Sequence, residues 1–248
     1  MLYASYKGDF TRGTADVDLL GQQITNNLVD VRKSFTEIFS IDYPEDGIVF
    51  DISTLKAIRI TEFKKYPGIN ISIDGFLDRT KLSVYIDISF GDVVYPKVVQ
   101  MEYPTLLNHQ APIIQTYSKE SVIAEKFQAI VSFGKANSRM KDFYDIYALL
   151  NSFDFDSQIL AEAIKETFEN RKTKLDIIIA FESGFATDLY RKKMWTSFLK
   201  GKKIILKIEL GEMICKIILF LGPLIEAILN TSIYLKRWNH ITCVWENE

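Results

Sequence analysis

Cysteine and histidine are scarce in this 248-residue chain, and the scarcity removes several chemistries at once. Cys215 and Cys243 form no CxxC pair, so neither a disulfide framework nor a zinc-thiolate pattern is present. That usage suits a reducing compartment, and we assign the chain to the cytoplasm. The two histidines, His109 and His240, stand far apart in sequence, which argues against a histidine-rich metal site or a histidine-based triad. No apolar run of signal-peptide type opens the sequence. The most hydrophobic stretch, Ile217 to Ile225, is closed by Lys216 and Glu226 and falls short of the ~20 residues a bilayer span needs. It predicts a buried helix. An excess of one charge is also missing: the net charge of −2 excludes the basic footprint of a dedicated duplex-binding protein.

What is present is ordinary globular composition, with 48% hydrophobic and 25% charged residues, enough to bury a core in one large or two small domains. The first half reads as mixed α/β. Val17 to Leu20 predicts a short central strand after a turn-like KGDFTRGT segment, and Thr25 to Phe39 a helix with Leu28, Val31, Phe35, Ile38 and Phe39 on one face. Further strands are predicted at Gly47 to Phe50, Leu55 to Ile60, Ile69 to Ile73 and Leu82 to Ile88, with turns at Pro44, Pro67-Gly68 and Gly75. From Ser118 onward the period is helical: Ser121 to Phe133, Arg139 to Leu150, Ser157 to Phe168 and a longer tail, with Ser118 and Asp156 as N-caps. The boundary between a 1–115 α/β domain and a 116–248 helical domain is placed near residue 115. Trp195, Trp238 and Trp245 read as packing residues rather than base-stacking platforms.

Chemistry concentrates in three places. Asp16 and Asp18 lie at i and i+2 on a strand and so project to one face, where two carboxylates stay ionised most easily around a cation. Seventeen aspartates make about one Asp-x-Asp expected by chance, and the second pair, Asp154 and Asp156, reads as a helix cap. Asp87 ends an apolar strand run, where an aspartate is costly to bury unpaired; it is either a strand-end residue or a third carboxylate. In the helical half, Lys126 sits inside an apolar helix. Arg139, Asp142 and Asp145 share a face of the next one, with Lys141 in i+4 reach of Asp145. Standing alone, that cluster also fits a solvent-exposed salt-bridged helix.

Taken in order, DFTRGTADVDLLG, VYIDISFGD, AEKFQAI and NSRMKDFYDIYAL resemble the AbiEii/AbiGii nucleotidyltransferase toxins, relatives of the DNA polymerase-β-like superfamily. The resemblance implies an α+β fold, a minimal nucleotidyltransferase mixed sheet with flanking helices followed by a helical bundle, and an active site in the cleft between them. It implies that Asp16, Asp18 and Asp87 bind Mg²⁺ (or Mn²⁺), that Lys126 contacts nucleotide phosphates, and that Asp142 is the functional carboxylate of a KDxxD-type motif with Lys141 and Asp145. Arg12 would brace the carboxylate turn, and Arg139 would join the phosphate-binding set. Ser5, in Ala4-Ser5, stands where the family carries a Gly-Gly or Gly-Ser turn that holds NTP phosphates; the glycines are not there. The implied activity is transfer of a nucleotide from an NTP to an RNA acceptor, in some cases tRNA, restrained by a co-encoded antitoxin of a type IV or abortive-infection system, with no membrane partner. The alternatives are a metal-dependent nuclease and a catalytically impaired relic that only binds. Lys7, Arg12, Lys126, Arg139 and Lys141 are expected to form a local basic patch.

Overall fold

A computed structural model describes residues 16–60, 68–105 and 110–247. Among these the chain divides into two compact units, one ending at Asp92 and the other beginning at Val93. The texture change near residue 115 therefore marks where the long helices begin, and a short ribbon ahead of it already belongs to the helical unit.

The first unit is a four-stranded sheet with one helix on its apolar face. Its strands are β1 (Asp16–Gly21), β2 (Ile48–Ile60), β3 (Gly68–Leu77) and β4 (Thr80–Phe90), in the order β1-β4-β3-β2. β1 runs parallel to β4, and the other pairs are antiparallel. Strict alternation in β3 and β4 sends Ile69, Ile71, Ile73, Ile86 and Ile88 to one face, where all are buried. Helix α1 (Leu28–Phe39) lays Val31 and Phe35 onto that layer. Asn27 caps α1 by accepting from the backbone N–H groups of Val29 and Asp30.

Three expectations change here. β1 is an edge strand among the described residues, not a central one, because only β4 pairs with it. The two predicted strands before residue 60 are one, β2, with a register shift between Asp51 and Lys56. The polar residues between the two predicted strands satisfy that irregularity: Asp51 accepts from Ser53, and Thr54 Oγ1 accepts from the Asp74 N–H. Ile38 is exposed, while Val31 and Phe35 carry the contact.

The second unit begins with the ribbon β5 (Val99–Glu102) and β6 (Ile113–Thr116). It continues through α2 (Lys119–Phe133), α3 (Met140–Leu150), β7 (Phe155–Asp156), α4 (Ser157–Asn170), α5 (Ser183–Thr187), α6 (Leu189–Gly201), α7 (Leu210–Leu229), β8 (Arg237–Asn239) and β9 (Val244–Glu246). Ser118 and Asp156 cap α2 and α4 as predicted. The apolar stretch from Ile217 lies within α7, with Ile217, Phe220, Leu221 and Leu224 fully buried. No helix among the described residues is long and apolar enough to cross a membrane. Each indole N–H donates to a backbone carbonyl: Trp195 to Ile208, Trp238 to Leu150 and Trp245 to Phe220. Trp195 and Trp238 are buried and Trp245 stacks on Phe220, so all three are packing residues.

The C-terminal strands form a small sheet in the order β7-β8-β9, where the sequence predicts only a helical tail. Asp154 pins it: the carboxylate meets His240 Nδ1 at 2.7 Å and accepts from the His240 backbone N–H at 3.1 Å. These bonds from His240, the side-chain contact first, hold the Asp154 carboxyl below its ordinary value, with Arg237 adding to the effect. A depressed folded pKa contributes stability that is present above about pH 4, the unfolded value, and fades as pH falls through the folded one. Asp154→Asn is therefore expected to lose less than about 1 kcal/mol at pH 7, because the pair is partly solvated. The two unfolding curves should converge at acid pH. A deficit that persists unchanged at low pH would assign the loss to packing.

Candidate active site

The sheet of the first unit has a second face, and it is polar. Strand alternation places Asp16 and Asp18 of β1 there, opposite the side on which Val17 joins the core. Pairing in register sets Asp18 beside Asp87 and Asp16 beside Tyr85. The rows continue inward, Asp87 to Asn70 and Tyr85 to Ser72 across β3, then Ser72 to Lys56 on β2. Two adjacent rows thus run across the sheet, Asp18-Asp87-Asn70 and Asp16-Tyr85-Ser72-Lys56. Neighbouring strands lie ~4.8 Å apart, so Asp18 and Asp87 face each other across one strand spacing.

The environments of these carboxylates differ. Asp16 and Asp18 are exposed, whereas Asp87 is half-buried, with Oδ1 accepting from Asn70 Nδ2 at 2.7 Å. That bond answers the cost of half-burying an acid between Ile86 and Ile88 and fixes its rotamer. Asn70 was not singled out from the sequence, although its period-2 spacing between Ile69 and Ile71 already assigned it to the non-core face. Among the described residues no three Asp, Glu, His or Cys side chains are gathered closely enough to enclose an ion by themselves.

In the second unit the α2–α3 hairpin builds a different cluster. Gly134, at φ +48°, ends α2, and buried Asn137 bridges the turn by accepting from the Arg139 N–H and donating to the Ile130 carbonyl. Lys126 reaches across from α2 to α3, with Nζ at 2.6 Å from Asp145 and 3.8 Å from Asp142. Arg139 closes the other side through Nε to Asp142. Asp142 is 1% exposed and Asp145 5%.

The reading of this cluster as a solvated salt-bridged helix therefore fails, because α3 buries both acids along with Phe143, Ile146 and Leu150. Asp145 has a close partner in Lys126 on the neighbouring helix, which sequence spacing along α3 could not supply. Lys141 is exposed. Of the expected basic patch, Lys126 and Arg139 are charge-compensated by these carboxylates, while Lys7 and Arg12 lie outside the described residues. Ser5 and His109 lie outside them too.

The fold is similar to that of JHP933 from Helicobacter pylori, at 14% identity and a TM-score of 0.50, covering 93% of this chain and 82% of that one. A second H. pylori structure, provisionally described as a nucleotidyltransferase, aligns at 13% identity and a TM-score of 0.48 over 94% of this chain and 86% of its own. No curated protein matches the sequence significantly. A sheet that opens paired carboxylates on one face, followed by helices, is the arrangement expected of a nucleotidyltransferase-like protein. The family model for the nucleotidyl transferase AbiEii toxin of type IV toxin–antitoxin systems matches residues 2–204, and the chain belongs to that family.

Proposed function

We propose that this protein transfers a nucleoside monophosphate from an NTP to a hydroxyl of an RNA acceptor, and that a co-encoded antitoxin restrains it. The observation that carries the reading is the juxtaposition of Asp18 with Asp87, with Asp16 on the same open face of the sheet. Such a set of oxygen donors suits Mg²⁺ (or Mn²⁺), which is usually held by one or two carboxylates and completes its shell with water and substrate phosphates. Asp16 and Asp18 would hold the ion, beside Asp87. When bound, it neutralises charge on the triphosphate.

The chain's own groups account for the remainder. The acceptor oxygen forms a bond to the α-phosphorus as the bond to the pyrophosphate leaving group breaks. Asp87 is the carboxylate suited to take the hydroxyl proton, since Asn70 occupies its Oδ1 and fixes its orientation. The family resemblance assigns a phosphate contact to Lys126, whose ammonium is oriented within the second unit by Asp145 and Asp142. In this reading Asp142, Asp145 and Arg139 position Lys126 and do not touch substrate. Cys215 and Cys243 are free thiols, which supports a cytoplasmic location.

The test is incubation of the purified protein with RNA and each α-labelled NTP in turn, with and without divalent cation. Cation-dependent incorporation of label into RNA is the expected result. RNA that only shortens would establish a nuclease instead, and inert RNA across all four nucleotides would leave a binding protein.

A further inference from the structure

Inward from the carboxylates, the polar face carries residues that this reaction does not use. Tyr85 stands next to Asp16 in register and is 45% exposed, an unusual amount for an aromatic residue in the middle of a sheet row. Around it Thr54, Lys56, Ser72, Asp74 and Ser83 line a shallow depression of about 240 Å³. The Asp74 carboxylate is already committed there, to Lys81 at 2.8 Å and to Ser83 at 2.7 Å.

Lys56 lines this depression and also a second, larger groove of about 640 Å³ between α1 and the edge strand β2. The charged residues of that groove are Arg32, Lys33 and Lys56, and no carboxylate lines it. All three cations are exposed. Its floor includes Val29 and Ile58, 74% and 59% exposed. Lys56 also feels the Asp74 carboxylate across the depression, but the chain carries net negative charge, so a groove lined by three cations and no carboxylate is a local feature and not a reflection of composition.

An exposed aromatic ring beside the reacting carboxylates, leading into a positive groove with apolar contacts, is the combination that holds single-stranded nucleic acid. Bases stack on the ring and phosphates follow the cations. A triphosphate alone would not require it: its charge is concentrated at one point, whereas these cations extend away from Asp16 across the sheet and over its β2 edge. We propose that the acceptor is single-stranded RNA at the point of reaction, that its terminal base stacks on Tyr85, and that its preceding phosphates run past Lys56 into the Arg32–Lys33 groove. This assignment rests on the nucleotidyl-transfer reading for its polarity, with the reacting hydroxyl at the Asp16–Asp18 end.

The experiment measures binding and transfer separately. Affinity for a fluorescein-labelled single-stranded RNA oligonucleotide is read by anisotropy over a series of salt concentrations, and NTP affinity is read from the KM at saturating RNA. Tyr85→Ala is expected to weaken RNA binding by roughly 5- to 100-fold and Tyr85→Phe to retain it, as stacking requires. Arg32→Ala, Lys33→Ala and Lys56→Ala combined are expected to reduce the slope of log affinity against log salt by about 2, at ~0.7 for each phosphate no longer neutralised. The KM for NTP should stay within about twofold throughout. Lys97→Ala, Lys165→Ala and Lys200→Ala, exposed cations of the second unit, make the same change in net charge and should leave the slope unaltered.

All these positions are exposed, so circular dichroism should show the variants folded. RNA affinity and salt slope unchanged in the Tyr85 and triple variants would overturn the groove while leaving nucleotidyl transfer standing. A raised NTP KM with unchanged RNA binding would overturn it too and reassign the ring to the incoming nucleotide. If the variants lose RNA binding as expected but the wild type never incorporates label, the groove holds and the transfer reaction falls.

Discussion

Replacing Lys126 by methionine is expected to lower the stability of the helical unit by about 3–5 kcal/mol, the usual cost of breaking a buried ion pair from one side. Asp142 and Asp145 are almost fully enclosed, and Lys126 is the 2.6 Å partner of one and the more distant neighbour of the other. Arg139 continues to hold Asp142, while Asp145 loses its 2.6 Å partner on the neighbouring helix. An enclosed carboxylate with less compensating charge resists ionisation, which moves its pKa upward. The sign of the pH dependence follows: the variant is least impaired below about pH 4 and loses stability as pH rises through the new folded pKa. Urea denaturation across pH 4–8 measures this directly. Exchanging both partners together, Lys126→Met with Asp145→Leu, should recover much of the loss, because a well-packed apolar pair often equals a buried ion pair. A loss below about 1 kcal/mol in the single variant would show that water reaches the cluster freely.

The Asp16→Asn, Asp18→Asn double variant should behave in the opposite manner, losing activity and keeping its fold. Both side chains are exposed on the polar face, so neither contributes to the Ile69–Ile71–Ile73 core. Removing two like charges relieves mutual repulsion, and the melting temperature without divalent cation should hold steady or rise slightly. Nucleotide transfer should fall at least about a hundredfold, in line with the loss of a principal electrostatic stabiliser. Marked destabilisation in the absence of metal would show that these carboxylates are structural. Unimpaired transfer by a folded double variant would place the chemistry elsewhere in the chain.

Much of this arrangement was legible in the residues, and the failures share a cause. The isoleucine alternation of β3 and β4 has one physical solution, a strand with one buried face, and it located both strands. Caps at Ser118 and Asp156 were readable because their hydrogen bonds are local. The Lys126–Asp145 pair was not, since it joins two helices and depends on how the hairpin turns at Gly134 and Asn137. Burial of Asp142 and Asp145 was hidden for the same reason: charge along one helix reads as solvated until a neighbouring helix covers it. The Asp51–Thr54 segment interrupts the apolar strand pattern because its side chains can satisfy a backbone locally, and in β2 they do so inside a strand. Lys56, Ser72 and Tyr85 carry no motif; only pairing in register brings them into one row with Asp16.

The parallel pairing of β1 with β4 also orders events during synthesis and folding. Strands β2, β3 and β4 are sequential antiparallel neighbours and can zip up through short-range contacts. β1 joins them only across a wide span of chain; Leu19 and Ser89, which share a hydrogen bond, are 70 positions apart. Closing so long a loop costs entropy before any contact compensates it, and non-local pairings of this kind tend to form late. Asp16 and Asp18 ride on the strand whose pairing spans the longest loop of this sheet. A nascent or partly unfolded chain thus carries every carboxylate of the site without possessing the site, and the capacity to react arrives together with the completed sheet.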